Sequence, residues 1–289
     1  MKLSTLFEQG QFVVTSEVAP PKGSDVSAML REAAPLAGVV DAVNVTDNQS
    51  AVMRLGSLTA AHFLKQEGFE PVYQLTCRDR NRLALQSDLL SAAALGLENV
   101  LCLTGDHVTA GDHKEAKPVY DVDSVQLLEI ARGLGEGRDA AGNRLEGRAA
   151  LCLGAVAHPG IEPQGLQMIK LKKKVRAGAQ FIQTQAVFDA EKFARFSEGA
   201  SSLGVPLLAG ILLVKSRAMA RFLNERVPGV HVPEEFAAQL GDGSLQERKK
   251  TAARLAVQLI RELRPYCAGV HIMPLGWTDL VPEIVAGIR

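Results

Sequence analysis

Short runs of apolar and β-branched residues, each bounded by turn-forming residues, recur along this chain with stretches of helical periodicity between them. That alternation is the pattern of successive βα units on a parallel sheet. Eight runs predict strands at residues 12–18, 42–46, 72–77, 100–104, 150–156, 181–187, 207–214 and 270–275. The intervening segments SDVSAMLREAAPLAG, AVMRLGSLTAAHFLKQ and NRLALQSDLLSAAALG return apolar residues at three and four positions, as the buried face of a helix requires. Gly38, Gly96, Gly178 and Gly204 close several of these helices, where glycine accepts a left-handed conformation before the next strand. The stretch 216–266 is too long for one helix, and VPEEFAAQL within it predicts an extra helix over the seventh βα loop. GEGRDAAG, starting at Gly135, follows a helical stretch and reads as a loop.

Eight units in 289 residues, without a linker or a composition break, predict an α/β chain folded as a single (β/α)8 TIM barrel over residues 1–289. An open doubly wound sheet fits less well, because the nucleotide fingerprint G-x-G-x-x-G is missing after the first strand. Hydrophobic residues make up 47% of the chain, enough for one sizeable core. Lys plus Arg and Asp plus Glu are equal at 32 each, so no net field gathers nucleic acid or an anionic membrane surface. The opening MKLSTLFEQGQFVV holds no sustained apolar run; neither a secretory signal nor a membrane span is indicated, and the cytoplasm is the expected location. Cys77, Cys102, Cys152 and Cys267 lie far apart without a Cys-x-x-Cys pair. They read as reduced core thiols, and no metal site is expected.

Barrel chemistry sits where the strands end, because the βα loops converge on one mouth. In chain order those ends present Glu17, Thr46 and Asp47, Gln74 and Thr76, Asp106, His158, Gln185, Lys215 and Met273. Any one of them reads equally as a solvated loop group or a helix N-cap. Glu17 differs, because it lies within VVTSEVAPP, where a charge facing the lumen must be paired or functional. A carboxylic acid in such surroundings is suited to hand over a proton.

Taken in order, SEVAPPKG, VNVTDN, YQLTC, LCLTGD, KPVYDVDSV, AHP, LKKKVRAGAQFIQTQAVFD and GILLV resemble the methylenetetrahydrofolate reductase family. Its members are FAD-dependent (β/α)8-barrel enzymes that reduce 5,10-methylenetetrahydrofolate to 5-methyltetrahydrofolate in one-carbon metabolism leading to methionine. The resemblance runs over nearly the whole length, and His158 to Asp189 stays in register without a gap. It implies that Glu17 is the general acid assisting opening of the folate's five-membered ring. It also implies that Asp106 lies between flavin and pterin and supports the developing cation, and that Gln185 helps orient the folate. FAD contacts are implied at Thr46, Asp47, Gln74, Thr104, Gly105, Asp106, Tyr120, His158, Gln167, Lys170, Lys173 and Lys174. Lys170 and Lys174, four apart, share one helix face that suits a diphosphate. Taken alone, LKKKV also reads as an ordinary solvated face, and His158 before Pro159 as a loop hydrogen-bonder.

The match departs from the family at several positions. Ser16, Val18 and Ala19 flank Glu17 where the family commonly has aromatic residues, and the second strand ends Thr-Asp-Asn in place of Thr-Tyr-Gly. Thr104 stands where the family has Arg before Gly-Asp, which removes one positive contact to the flavin. Arg217 and Trp277 occupy the places of an aromatic and an Arg that hold the nicotinamide cofactor in the family. NADH or NADPH as direct electron donor therefore stays open, beside delivery by an electron-transfer partner subunit; assembly as a homo-oligomer is open too. Competing readings are a flavin-free pterin-binding barrel such as a folate-dependent methyltransferase, and a non-catalytic subunit of a one-carbon complex. A metal-dependent aldolase or hydrolase is weaker, since no ligand spacing appears.

Overall fold

The computed structural model describes residues 1–241 and 243–289. After a short helix α1 (Leu3–Glu8), strands and helices alternate as β1 (Val13–Val18), α2 (Ser27–Ala33), β2 (Ala42–Val45), α3 (Ser57–Gln66), β3 (Pro71–Thr76), α4 (Arg82–Ala94), β4 (Asn99–Leu103) and α5 (Ser124–Gly135). The second half continues with β5 (Cys152–Ala157), α6 (Gln164–Ala177), β6 (Phe181–Ala186), α7 (Ala190–Ser201), β7 (Leu207–Leu212), α8 (Arg217–Arg226), α9 (Glu234–Gln239), α10 (Leu245–Leu263), β8 (Gly269–Met273) and α11 (Val281–Ile288). The strands pair parallel in chain order and β8 pairs with β1, so the sheet closes into the expected (β/α)8 barrel.

One local expectation is met with an addition, and one is revised. The extra helix expected in VPEEFAAQL is α9, and a further helix, α8, stands before it between β7 and the barrel helix α10; the Ser216 hydroxyl caps α8 by accepting from the Met219 N–H. Residues 51–56 stay out of α3. Asn48, Ser50 and Ala51 hold φ of 44°, 56° and 56°, and the Ser50 and Met53 N–H groups donate to the Asp106 and Asp112 carboxylates. Amides that a helix would use are thus bound to the loop after β4. Gly38, Gly96, Gly178 and Gly204 all take positive φ, as expected.

Alternate residues of each strand enter the lumen. At the N-terminal end Val13, Ala42, Val72, Leu101, Cys152, Phe181 and Leu208 cluster, and α1 caps them with Leu3 and Leu6. Gly154 makes that packing feasible, because a Cβ there would lie 2.2 Å from the Phe181 ring. The larger core lies outside the sheet, where Leu64, Leu85, Leu89, Phe193, Phe196 and Leu263 of the helices cover the strands. Cys77, Cys102 and Cys152 are buried and Cys267 is half-buried, all as free thiols; burial pushes Cys77 up to about 12, which leaves it inert at neutral pH. Among the described residues no helix is long and apolar enough to cross a membrane.

Candidate active site

The C-terminal mouth encloses a cavity of about 320 Å³, within the roughly 300–1,000 Å³ of small-molecule sites. Glu17, Thr46, Asp47, Gln74, Thr104, Gly105, Asp106, His158, Lys174 and Gln185 line it, so most of the residues singled out at strand ends come together. Thr76 and Met273 line it as well. Tyr120, Gln167, Lys170, Lys173 and Lys215 do not.

The wall is held by a dense hydrogen-bond frame. Asp47 is buried, and its Oδ2 accepts from the Thr76 N–H at 2.9 Å, the Thr76 hydroxyl at 2.8 Å and Arg80 at 2.7 Å, while Oδ1 accepts from Arg80 at 3.2 Å. Its carboxylate is therefore committed to tying β2 to the loop after β3. Arg78, only 2% exposed, pairs with Asp79 and donates to the carbonyls of Asn48 at 3.2 Å and Asp106 at 3.3 Å, joining the loops after β2, β3 and β4. Tyr120 sits behind the cavity and donates its hydroxyl to the Asp106 carbonyl at 3.0 Å. The Asp106 carboxylate is exposed and accepts from the Ser50 N–H at 3.1 Å. Gly105 takes φ of +91°, and a Cβ there would lie 3.1 Å from both Arg78 and Thr76, so only glycine brings the Asp106 loop this close.

The adjoining wall, at β5 and α6, is cationic. Half-buried Lys174 donates to the Val156 carbonyl at 2.6 Å. Burial and then the nearby Lys170 ammonium hold it below the ordinary lysine range. His158 is likewise held below its usual value, first by burial and then by Lys174 and Lys170. Lys170 thus acts on the wall without lining it, as the shared helix face predicts. Gln167 is buried in α6 and Lys173 is exposed on it.

Four buried polar atoms of the wall have no hydrogen-bond partner among the described residues: Thr46 Oγ1, His158 Nδ1, Gln183 Oε1 and His271 Nε2. Most buried polar atoms in folded proteins are paired, so this concentration marks a place built for a ligand. Gln183, Arg78, Asn48 and His271 escape a search of strand ends. His271 nonetheless carries a signal, because it alternates with Met273 on an otherwise apolar strand and so faces the lumen. Its Nε2 lies 3.4 Å from Glu17 Oε2. Arg217 is exposed and donates to the Ala238 carbonyl at 2.9 Å. Trp277 is buried under the ammonium groups of Lys215 at 5.1 Å and Lys249 at 5.9 Å.

A closed barrel that gathers acids, amides and cations around one cavity at its C-terminal mouth has the construction of a barrel enzyme. The chain belongs to the methylenetetrahydrofolate reductase family, whose family model matches residues 2–289, and it is accordingly an oxidoreductase. It is 26% identical over 271 residues to the 5,10-methylenetetrahydrofolate reductase of Escherichia coli, an alignment covering 88% of this chain and 83% of that one. The Salmonella typhimurium 5,10-methylenetetrahydrofolate reductase is 25% identical over 266 residues, with 88% and 83% covered. A probable methylenetetrahydrofolate reductase (NADPH) of Caenorhabditis elegans is 31% identical over 159 residues, 54% of this chain but 22% of the worm protein. Among solved structures, a Clostridium thermocellum protein that binds two copies of 5-methyl-5,6,7,8-tetrahydrofolic acid superposes with a TM-score of 0.62 over 99% of both chains, at 11% identity. Tryptophan synthase of Mycobacterium tuberculosis follows at 0.54 and 13% identity, covering 99% of this chain and 95% of that one. At such identity these likenesses show the fold.

Proposed function

We propose that the chain reduces 5,10-methylenetetrahydrofolate to 5-methyltetrahydrofolate in the cytoplasm, with FAD as its resident cofactor and Glu17 as general acid. The observation that carries this reading is that Glu17 and Asp106, from the first and fourth strand ends, line one cavity. The residues present suit FAD. Burial and the crowded positive charge of Lys174 and Lys170 hold His158 below its ordinary value; a diphosphate would relieve that charge, and Thr46 Oγ1, His158 Nδ1 and Gln183 Oε1 are buried polar atoms left over for a ligand. Gln74, Thr104 and Gly105 supply further wall. Asp47, whose carboxylate is already committed, shapes the site from behind.

Reduced flavin, when bound, supplies the hydride. Glu17 presents a proton to N10 of the folate; as it passes, the bond between N10 and the bridging methylene breaks and an iminium forms at N5, ready to accept hydride at that methylene. Asp106 offers its carboxylate to the pterin and to this positive charge, and Ser50, Arg78 and Tyr120 hold its loop in place beforehand. Gln185 orients the substrate from β6. The bacterial relatives named for this reduction, and the barrel neighbour that binds a methylated folate, support the choice of substrate. Arg217 and Trp277 are engaged in contacts of their own, which favours electrons arriving from a partner protein over the family's usual nicotinamide pose.

The absorbance spectrum of the purified protein tests the cofactor. A yellow preparation with flavin bands is expected, whereas a colourless protein that binds folate would favour the methyltransferase reading. Anaerobic mixing with NADH or NADPH then tests the donor: slow bleaching without a partner is expected, and rapid bleaching rejects the partner.

A further inference from the structure

His271 sits at the centre of β8, entirely buried, in register with Thr15 of β1 and Gly210 of β7. Its Nδ1 lies 3.0 Å from the Thr15 hydroxyl and 3.3 Å from the Asn44 side-chain amide nitrogen. Asn44 is oriented in turn, because its Oδ1 accepts from Gln74 Nε2 at 3.2 Å. An amide NH2 only donates, so Nδ1 is the acceptor and the imidazole proton resides on Nε2. That nitrogen has no hydrogen-bond partner among the described residues, lines the cavity, and lies 3.4 Å from Glu17 Oε2 without hydrogen-bond alignment. A purely space-filling role would be met by an apolar side chain, without leaving a buried N–H unspent.

We infer that His271 is the positioning residue of Glu17, set by the Gln74–Asn44–His271 relay to present its Nε2–H to the carboxylate that forms when Glu17 gives up its proton. The inference rests on the reading of Glu17 as the acid. In the step itself the Glu17 proton goes to N10 and the electron pair of the breaking bond stays on N10. Glu17 is left as a carboxylate, whose Oε2 takes the imidazole N–H while its other oxygen stays with the substrate. The imidazole keeps its own proton throughout, and water returns the proton of Glu17 between turnovers. The long approach in the free protein tightens when the acceptor becomes anionic, since charge-assisted hydrogen bonds are shorter and stronger.

The test uses the holoenzyme with two substitutions and one spectrum. His271→Leu removes the donor and is expected to slow folate reduction by roughly 10- to 100-fold, the worth of a hydrogen bond to a charged group. His271→Gln can place an N–H near the same point and is expected to recover most of that loss. Equal loss in both, or none in His271→Leu, overturns the inference. Nitrogen NMR of the imidazole reads the same claim without turnover: a protonated Nε2 whose shift moves in Glu17→Gln is expected, and protonated Nδ1 or an unmoved signal contradicts it. This reading survives a His271→Leu protein that fails to fold. If Glu17→Gln leaves turnover unchanged, the general-acid reading itself fails; if Glu17→Gln abolishes turnover while His271→Leu does not, only the positioning role fails.

Discussion

The two ends of this barrel's lumen are made by the same strand faces a few residues apart, yet they are opposites. The lower end, from Val13 through Phe181 to Leu208, is dry, interdigitated and closed by α1. The upper end holds Glu17, Asn44, Gln74, Gln183 and His271, and several of its buried polar atoms lack partners among the described residues. Each unsatisfied buried group costs about 1–3 kcal/mol, so the upper layer is a liability that the lower layer and the helix-covered outer core must offset. The contrast teaches where each kind of substitution acts: below, a change is felt as stability, and above, as chemistry.

The sharpest break of that contrast is at Glu17. Glu17→Gln keeps size and hydrogen bonding but has no proton to give. Folate turnover is expected to fall by about 10²–10⁴-fold, with flavin still bound and reducible and the unfolding midpoint little changed, as stopped-flow absorbance and a thermal melt would show. A loss of stability matching the loss of rate would erase the distinction between the two ends.

The converse change lies at Phe181, where truncation to Ala is expected to cost about 3–5 kcal/mol in urea unfolding, while the molecules that remain folded bind folate normally. A smaller effect belongs to Asp106. Asp106→Asn keeps the loop contacts but removes the charge, and is expected to weaken folate binding by roughly tenfold or more in titration calorimetry; an effect confined to stability would remove Asp106 from the site. Smallest is the pH effect of His158, held below its ordinary value of 6.5 by burial and then by Lys174 and Lys170. A base whose folded value is depressed takes up its proton in the unfolded chain first as pH falls, so its neutral form contributes fully above about 6.5, and that contribution is lost as pH falls toward the lower folded value. His158→Gln is expected to flatten the acid side of the stability profile below pH 6.5. An unchanged slope would show that His158 is not held neutral.

The barrel was legible because strands buried on both faces must be apolar and the helices between them must keep a stripe, so all eight strands could be drawn from pattern alone. Glu17 was legible for the same reason in reverse, as a charge where the pattern requires an apolar residue. His271 breaks the pattern too, but a single histidine in an apolar strand reads equally as core, and only the closure of β8 onto β1 brings its Nε2 to Glu17. Arg78 and Asn48 owe their place to backbone carbonyls on other loops, a kind of partner no side-chain motif encodes. Asp47 shows the opposite limit: it reaches the wall as expected, but its carboxylate is committed to Thr76 and Arg80. The positive-φ run at Asn48, Ser50 and Ala51 was hidden because none of the three is glycine.

The most direct test of the account is a crystal structure of the protein soaked with 5-methyltetrahydrofolate. The account predicts the pterin ring in the mouth cavity, with Glu17 on one side and the Asp106 carboxylate within hydrogen-bond distance on the other. A pterin bound elsewhere, or one in the cavity touching neither carboxyl group, would contradict it.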